Sequence, residues 1–295
     1  MTQVAVVAHA KKTLGEGLGD LRQRLRAEGV DDPDWYEVPK SKKAAKKARK
    51  AAKAGADLVL VWGGDGTVRR CLDELAGTGV AIGILPAGTA NLLASNLDIP
   101  IDLGGALDVA LHGERRALDA GVVNGRRFAV MAGTGFDARM IEEADRGLKD
   151  RFGRLAYVWT GMRAMRGDRV RADVRIDGQR WFEGPSSCVL VSNVRAITGG
   201  LVVFEDARPD DGRLDVGVVT AGGVRSWIRV FTRVLLRQVG RSPLVRTASG
   251  EKVEIRLSEP MRWELDGNDR KPTDRLSVSV EPLSLLLCVP RDGGR

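Results

Sequence analysis

The chain has 295 residues, of which 43% are hydrophobic and only 5% aromatic, with a formal net charge of +8. That length buries a substantial core and suits two domains better than one. No apolar run approaches the roughly 20 residues of a membrane span. Three dispersed cysteines (Cys71, Cys188, Cys288) and two histidines (His9, His112) exclude a zinc set and a Cys-His catalytic pair.

The opening Met-Thr-Gln-Val-Ala-Val-Val-Ala has no basic leader and reads as a strand, Val4–Ala8. With its cysteines reduced, a cytoplasmic setting is expected. Leu18–Ala27 reads as a helix. Residues 40–53 carry eight basic groups and no acid. Alanine and lysine favour helix, so 41–54 is a cationic helix, either a solvated outer face or an attractor of anionic membrane or nucleotide. Nucleic acid is not expected, because no recognition module interleaves aromatics with these lysines. Residues 57–62 form an apolar, β-branched strand that ends in Gly63-Gly64-Asp65-Gly66-Thr67. Val68, Cys71, Leu72 and Leu75 then recur at helical spacing. Val80–Leu85 is the next strand, and Pro86-Ala87-Gly88-Thr89-Ala90-Asn91 opens another helix. The alternation predicts a parallel sheet with both glycine turns at the carboxyl ends of strands, where open α/β sheets bind ligands.

From about residue 119 the pattern becomes antiparallel β. Asp177-Gly178 between Val174/Ile176 and Trp181 is a hairpin signature. Val253, Ile255 and Leu257 alternate with charged residues, as do Leu276, Val278 and Val280. Val189–Val191, Leu214–Val219 and Leu285–Val289 add strands, and helices interrupt near 154–166 and 224–239. In the latter, Arg225, Arg229, Arg233 and Arg237 recur every four residues opposite an apolar arc that includes Trp227, Ile228, Val230 and Phe231. Such a helix either docks on the β domain or lies at an anionic membrane surface.

A strand, a turn without side chains and a helix start make an anion site. Glycine lets backbone N–H groups approach phosphate, and the helix N-terminus adds partial positive charge. Gly63, Gly64, Asp65, Gly66 and Thr67 are therefore candidate nucleotide-binding residues. Asp65 is placed to orient metal-bound phosphate or to accept a proton from an attacking hydroxyl. Gly88, Thr89 and Asn91 supply a second wall; alone, Thr89 reads as a helix cap. No Walker A sequence, Gly-x-Gly-x-x-Gly or Gly-x-Ser-x-Gly occurs.

The pairing of Gly-Gly-Asp-Gly-Thr with Pro-Ala-Gly-Thr-Ala-Asn about twenty residues later resembles the diacylglycerol kinase catalytic family. That family includes bacterial soluble lipid kinases and sphingosine kinases, with NAD kinases more distant. The resemblance continues through Asn124-Gly125-Arg126-Arg127-Phe128, Gly133-Thr134-Gly135-Phe136-Asp137-Ala138 and Gly199-Gly200-Leu201. It runs on through Pro209-Asp210-Asp211-Gly212-Arg213-Leu214-Asp215 and Leu265-Asp266-Gly267. It implies an α/β nucleotide domain over 1–118, completed by the returning segment 281–295, and a β-sandwich acceptor domain over 119–280. It implies transfer of the ATP γ-phosphate, with Mg²⁺, to a lipid hydroxyl. It implies a structural Mg²⁺ held by the Asp211 carboxylate and the main-chain carbonyls of Arg208 and Arg213, oxygen donors that suit that ion.

Three positions depart from the family pattern. Ala8-His9-Ala10-Lys11-Lys12 replaces an Asn-Pro-x-Ser-Gly phosphate loop, so Lys11 and Lys12 are read as point charges for phosphate. Arg70 stands where many members have glutamate. Asn268 stands where the bacterial lipid kinases have the glutamate assigned as general base, which leaves Asp65, Asp266 and Asp269 as the catalytic candidates. The alternatives are a kinase of a soluble acceptor, NAD kinase-like, and a nucleotide-binding regulator without turnover. The lipid stays unnamed, the membrane contact is expected to be peripheral, and the oligomeric state is open, a dimer included.

Overall fold

Parallel strands buried on both faces need continuous apolar runs, and β1 (Val4–His9), β3 (Leu58–Gly63) and β4 (Ala81–Pro86) are buried at every position. A computed structural model describes residues 2–135, 169–197, 201–236 and 238–291. The helix expected near 154–166, Phe136-Asp137-Ala138 and Gly199-Gly200 lie outside the described residues. The chain divides into two units, Met1–Ala120 with Pro282–Arg295, and Gly121–Glu281.

In the first unit β2 (Asp34–Val38) pairs with β1, β1 with β3 and β3 with β4, all parallel. The far end of the last strand, β16 (Asn268–Val289), adds Leu286 and Leu287 beside Ala81 and Ile82. The order 2-1-3-4 reverses direction between β1 and β3, so the topological switch point lies at their carboxyl ends. The sequence pattern does not reveal β2, because Asp-Trp-Tyr-Glu-Val is an edge strand, mostly half-buried. The helices are α1 (Leu18–Ala27), α2 (Ala44–Lys53), α3 (Asp65–Leu75), α4 (Leu92–Asn96) and α5 (Leu103–His112). A 3-10 turn, Ser41–Lys43, precedes α2. Ala44, Ala48 and Ala51 bury one face of α2. Its basic groups point outward; Arg49 pairs with Glu74, and Lys47 and Lys50 lie over the Tyr36 ring. α2 packs beside α3, and α5 lies on β4.

The second unit is an antiparallel β-sandwich. β5 (Glu114–Val123), whose end enters this unit, and β6 (Arg126–Phe128) form a hairpin across Asn124-Gly125. Its other strands are β7 (Met131–Thr134), β8 (Val170–Ile176), β9 (Gln179–Ser186), β10 (Cys188–Ser192), β11 (Ala196–Ile197), β12 (Leu201–Val202), β13 (Leu214–Val219), β14 (Val245–Gly250) and β15 (Lys252–Leu265). Asp177 and Gly178 form the β8–β9 turn with φ of 50° and 81°, as an Asp-Gly hairpin requires. The register of β15 slips between Arg256 and Trp263 around Pro260. Its first half therefore pairs with β8 and its second half with β7. That corner carries one strand through both layers. Val174, Val253 and Ile255 meet Val189, Val216 and Leu265 in a single core.

The expected helix over 224–239 is shorter. α6 (Val224–Leu235) stops there, and Val239–Arg241 is a separate 3-10 turn. Trp227 and Val230 are buried, so part of the apolar arc docks on its own unit instead of facing outward. Among the described residues no helix is long and apolar enough to cross a membrane.

Candidate functional site

The carboxyl edge of the parallel sheet assembles the first candidate site. The link from β3 to α3 is one residue, Gly64, with φ −93° and ψ −176°. Asp65, Gly66 and Thr67 therefore form the first helical turn, not a loop before the helix as the sequence suggests. Acidic residues suit that turn because the helix dipole is positive there. The amides of Thr67 and Val68 donate to the Gly64 carbonyl at 2.8 and 3.1 Å.

The glycines have a second purpose. A Cβ on Gly64 would lie 2.9 Å from the Gly88 Cα, and a Cβ on Gly88 would lie 2.5 Å from the Gly64 Cα and 2.6 Å from Asn91 Oδ1. The two motif turns thus touch backbone to backbone. A Cβ on Gly63 would strike Thr67. Asn91 fixes the second turn: its side chain accepts from the Gly88 amide at 2.9 Å and donates to the carbonyls of Gly88 and Pro86. Asn91 is also the left-handed residue before α4, at φ 46°. Thr89, expected as the cap when read alone, is exposed, and the cap position belongs to Asn91.

Asp65 joins the two turns. Its Oδ1 accepts the Leu92 amide at 2.6 Å. Burial pushes its carboxyl above the usual range, against the opposing pull of the backbone amides of Leu92, Asp65, Asn91 and Leu93. Across the switch point, the turn after β1 is tied down. Lys12 N–H donates to the His9 carbonyl at 2.9 Å, and the buried Trp62 indole donates to the Lys12 carbonyl at 3.0 Å. Lys11 and Lys12 are exposed beside it. Sequence reasoning missed Ser41, whose hydroxyl lies 2.9 Å from that of the buried Thr67. Recognising β2 would have placed Ser41 on the same edge.

In the second unit Asp266 and Gly267 form the two-residue turn between β15 and β16, with φ of 45° and 73°. The buried Asp266 carboxylate accepts the amides of Val130 and Met131 at 3.0 and 2.9 Å through Oδ1 and that of Ala129 at 3.2 Å through Oδ2. These three bonds make Asp266 a scaffold for the 129–131 segment. Asn268 donates to the Asp266 carbonyl at 3.1 Å. Asp269 is partly buried, 4.0 Å from the Arg262 guanidinium. Directly opposite it in the ladder is Glu264, fully buried and overlooked by the sequence reading. The signal was present, since Glu264 is an acid enclosed by Trp263 and Leu265. Its charge adds to burial in pushing up the Cys188 thiol.

The Asp211 turn is closed by the Arg213 amide, which donates to Asp211 Oδ1 at 3.0 Å. The Arg213 guanidinium turns to Ser249, and Arg208 is exposed. Asp215 is pushed up to about 6, first by burial and then by Asp211 and Asp206, with Arg213 opposing. Crowded carboxylates of this kind are what a divalent cation relieves. Among the described residues no three Asp, Glu, His or Cys side chains converge closely enough to hold a metal ion.

Two family models match successive parts of the chain. Residues 4–123 match the model of the diacylglycerol kinase catalytic domain, and residues 130–289 match that of the YegS C-terminal NAD kinase beta sandwich-like domain. The chain belongs to the diacylglycerol kinase family, in its YegS-like branch. It is 31% identical to a probable lipid kinase YegS-like of Enterobacter sp. strain 638, over 84% of this chain and 83% of that one. It is 30% identical to a diacylglycerol kinase of Bacillus subtilis strain 168, over 75% of this chain and 74% of that one. An uncharacterized Synechocystis protein, 29% identical over 80% of this chain, is longer, and the match spans 55% of it. A crystal structure of a diacylglycerol kinase from Bacillus anthracis superposes with a TM-score of 0.76 at 19% identity, over 97% of this chain and 96% of that one. Yeast NADH kinase reaches 0.54 at 14% identity, over 98% and 83%. Membership in this kinase family brings phosphotransferase chemistry and the use of ATP.

Proposed function

We propose that this diacylglycerol kinase family member transfers the γ-phosphoryl group of ATP to a hydroxyl of a diacylglycerol-like or sphingoid-like lipid. The observation that carries the reading is the contact between Gly64 and Gly88, bridged by Asp65 at the carboxyl edge of the sheet. It presents backbone amides, a half-buried carboxylate and two exposed lysines around one switch point. Lys11 and Lys12 neutralise phosphate oxygens as point charges, while Gly63–Thr67, Gly88, Thr89 and Asn91 contact the nucleotide. The lipid hydroxyl oxygen forms a bond to phosphorus as the bond to the ADP oxygen breaks. Positioning and charge neutralisation supply most of the rate. Asp65 takes the hydroxyl proton in this reading, because a carboxyl raised by burial is the better proton acceptor near neutral pH. Asp269 is the secondary candidate, and Asp266 holds the fold around it. Mg²⁺ bound with ATP would neutralise charge at the phosphates, and Asp211 with the Arg208 and Arg213 carbonyls would hold a second, structural ion.

Asn268 motivates a second reading, in which the chain binds nucleotide without turnover, because its amide is engaged with the Asp266 carbonyl. Purified protein with ATP, Mg²⁺ and a panel of lipid hydroxyls, with NAD as the soluble acceptor, separates these. Phosphorylated lipid supports the proposal. Phosphorylated NAD alone favours the soluble-acceptor enzyme, and ATP binding with no product favours the regulator.

A further inference from the structure

The outward side of α6 mixes charge with apolar bulk in a way its packing does not use. Trp227 and Val230 are buried, while Arg225, Arg229 and Thr232 are exposed and Ile228 and Leu236 are 45% and 59% exposed. At about 100° per residue, positions 225, 228, 229, 232 and 236 fall on one stripe roughly 17 Å long. Two large aliphatics are thus left in water between arginines. Arg233 is held by Gln238 at 2.8 Å and does not contribute. The segment from residue 216 to 250 itself contains no acid and six arginines, Arg225, Arg229, Arg233, Arg237, Arg241 and Arg246; the nearest acids shown, Glu205, Asp206 and Asp215, line a cavity with Val239 and Gly240.

We infer that this stripe is a docking surface for an anionic lipid bilayer. The aliphatic side chains enter the headgroup boundary and the arginines meet lipid phosphates, the arrangement of a helix lying in the interface plane. Charge complementarity selects the occupant. A neutral protein groove would cover the exposed leucine and isoleucine equally well but would leave the exposed Arg225 and Arg229, on a segment with no acid of its own, without a counterpart. The inference rests on the lipid-kinase reading for its purpose, since a bilayer-resident hydroxyl must be reached from the surface.

The test uses the full chain. Sedimentation with vesicles of phosphatidylcholine alone, or with added phosphatidylglycerol, is measured for wild type, for Arg225→Gln/Arg229→Gln and for Ile228→Ser/Leu236→Ser. All four positions are exposed, and circular dichroism checks that the fold persists. Wild type should bind only the anionic vesicles and be released by salt. The arginine pair should bind about 30-fold more weakly, each charge near the surface contributing about fivefold. The aliphatic pair should also bind more weakly, with its salt response retained. Equal binding to neutral and anionic vesicles, or unchanged binding by both variants, overturns the inference. A short-chain, water-soluble diacylglycerol assayed without vesicles separates the two readings. Turnover of it with no vesicle binding removes the docking surface and keeps the kinase, whereas vesicle binding with no turnover does the reverse.

Discussion

Replacing Gly88 by alanine tests whether the contact between the two motif turns is what builds the site. The added methyl would lie 2.5 Å from the Gly64 Cα and 2.6 Å from Asn91 Oδ1. Carbon atoms in good contact are about 3.5–4.0 Å apart, so the turns must separate by roughly 1 Å. Both obstacles are rigid: one is backbone, and the other is an amide held by three hydrogen bonds. Overpacking of this kind costs about 1–3 kcal/mol. For a unit of this size that lowers the melting temperature by roughly 3–10 °C. A 1 Å displacement at a phosphoryl-transfer site also costs on the order of 100-fold in rate. Thermal melting and steady-state kcat/KM for ATP measure both. Gly88→Ala with wild-type melting and wild-type kcat/KM would refute the argument that these glycines are required by each other.

Other substitutions probe the neighbouring carboxylates. Asp65→Asn keeps an acceptor for the Leu92 amide, so the melting temperature should hold while kcat falls at least about 100-fold; a near wild-type rate would move the proton transfer elsewhere. Asp266→Ala strands three buried amides, those of Ala129, Val130 and Met131, and should cost about 3 kcal/mol or more of stability. A folded, inactive Asp266→Ala with unaltered melting would give it the chemical role and refute the scaffold reading. Asp215 has a folded-state value of about 6, above its ordinary range. The native state therefore binds the proton more tightly, and Asp215 costs stability as pH rises from about 4 through 6. In metal-free buffer Asp215→Asn should gain about 1 kcal/mol above pH 6, after allowance for solvent screening, and nothing below pH 4. Thermal melts across that range check the sign.

The sequence shows β1, β3 and β4 because each is an uninterrupted apolar run, and it shows Asp177-Gly178 because a hairpin turn is local. Asp34–Val38 escapes because an edge strand needs no such run. The first turn of α3 escapes because glycine and aspartate are poor in helix interiors but acceptable where the helix begins. The roles of Gly64 and Gly88 were legible only by half. Each motif announces a phosphate turn, but their mutual contact joins residues 24 positions apart, and no periodicity encodes it. Asp266 shows the same limit from the other side: an acid in a kinase motif invites a chemical role, and only the amides of residues 129–131 reveal what it holds.

The path of β16 has a consequence for synthesis. The strand that completes the first sheet, Leu286 and Leu287 beside β4, leaves the ribosome about 200 residues after β4 itself. At about 5–20 residues per second, the β4 edge waits some 10–40 s without its neighbour. An unpaired strand edge invites pairing with another chain. A fragment ending at residue 120 would carry that open edge permanently. The first unit to be made is thus the last to be finished.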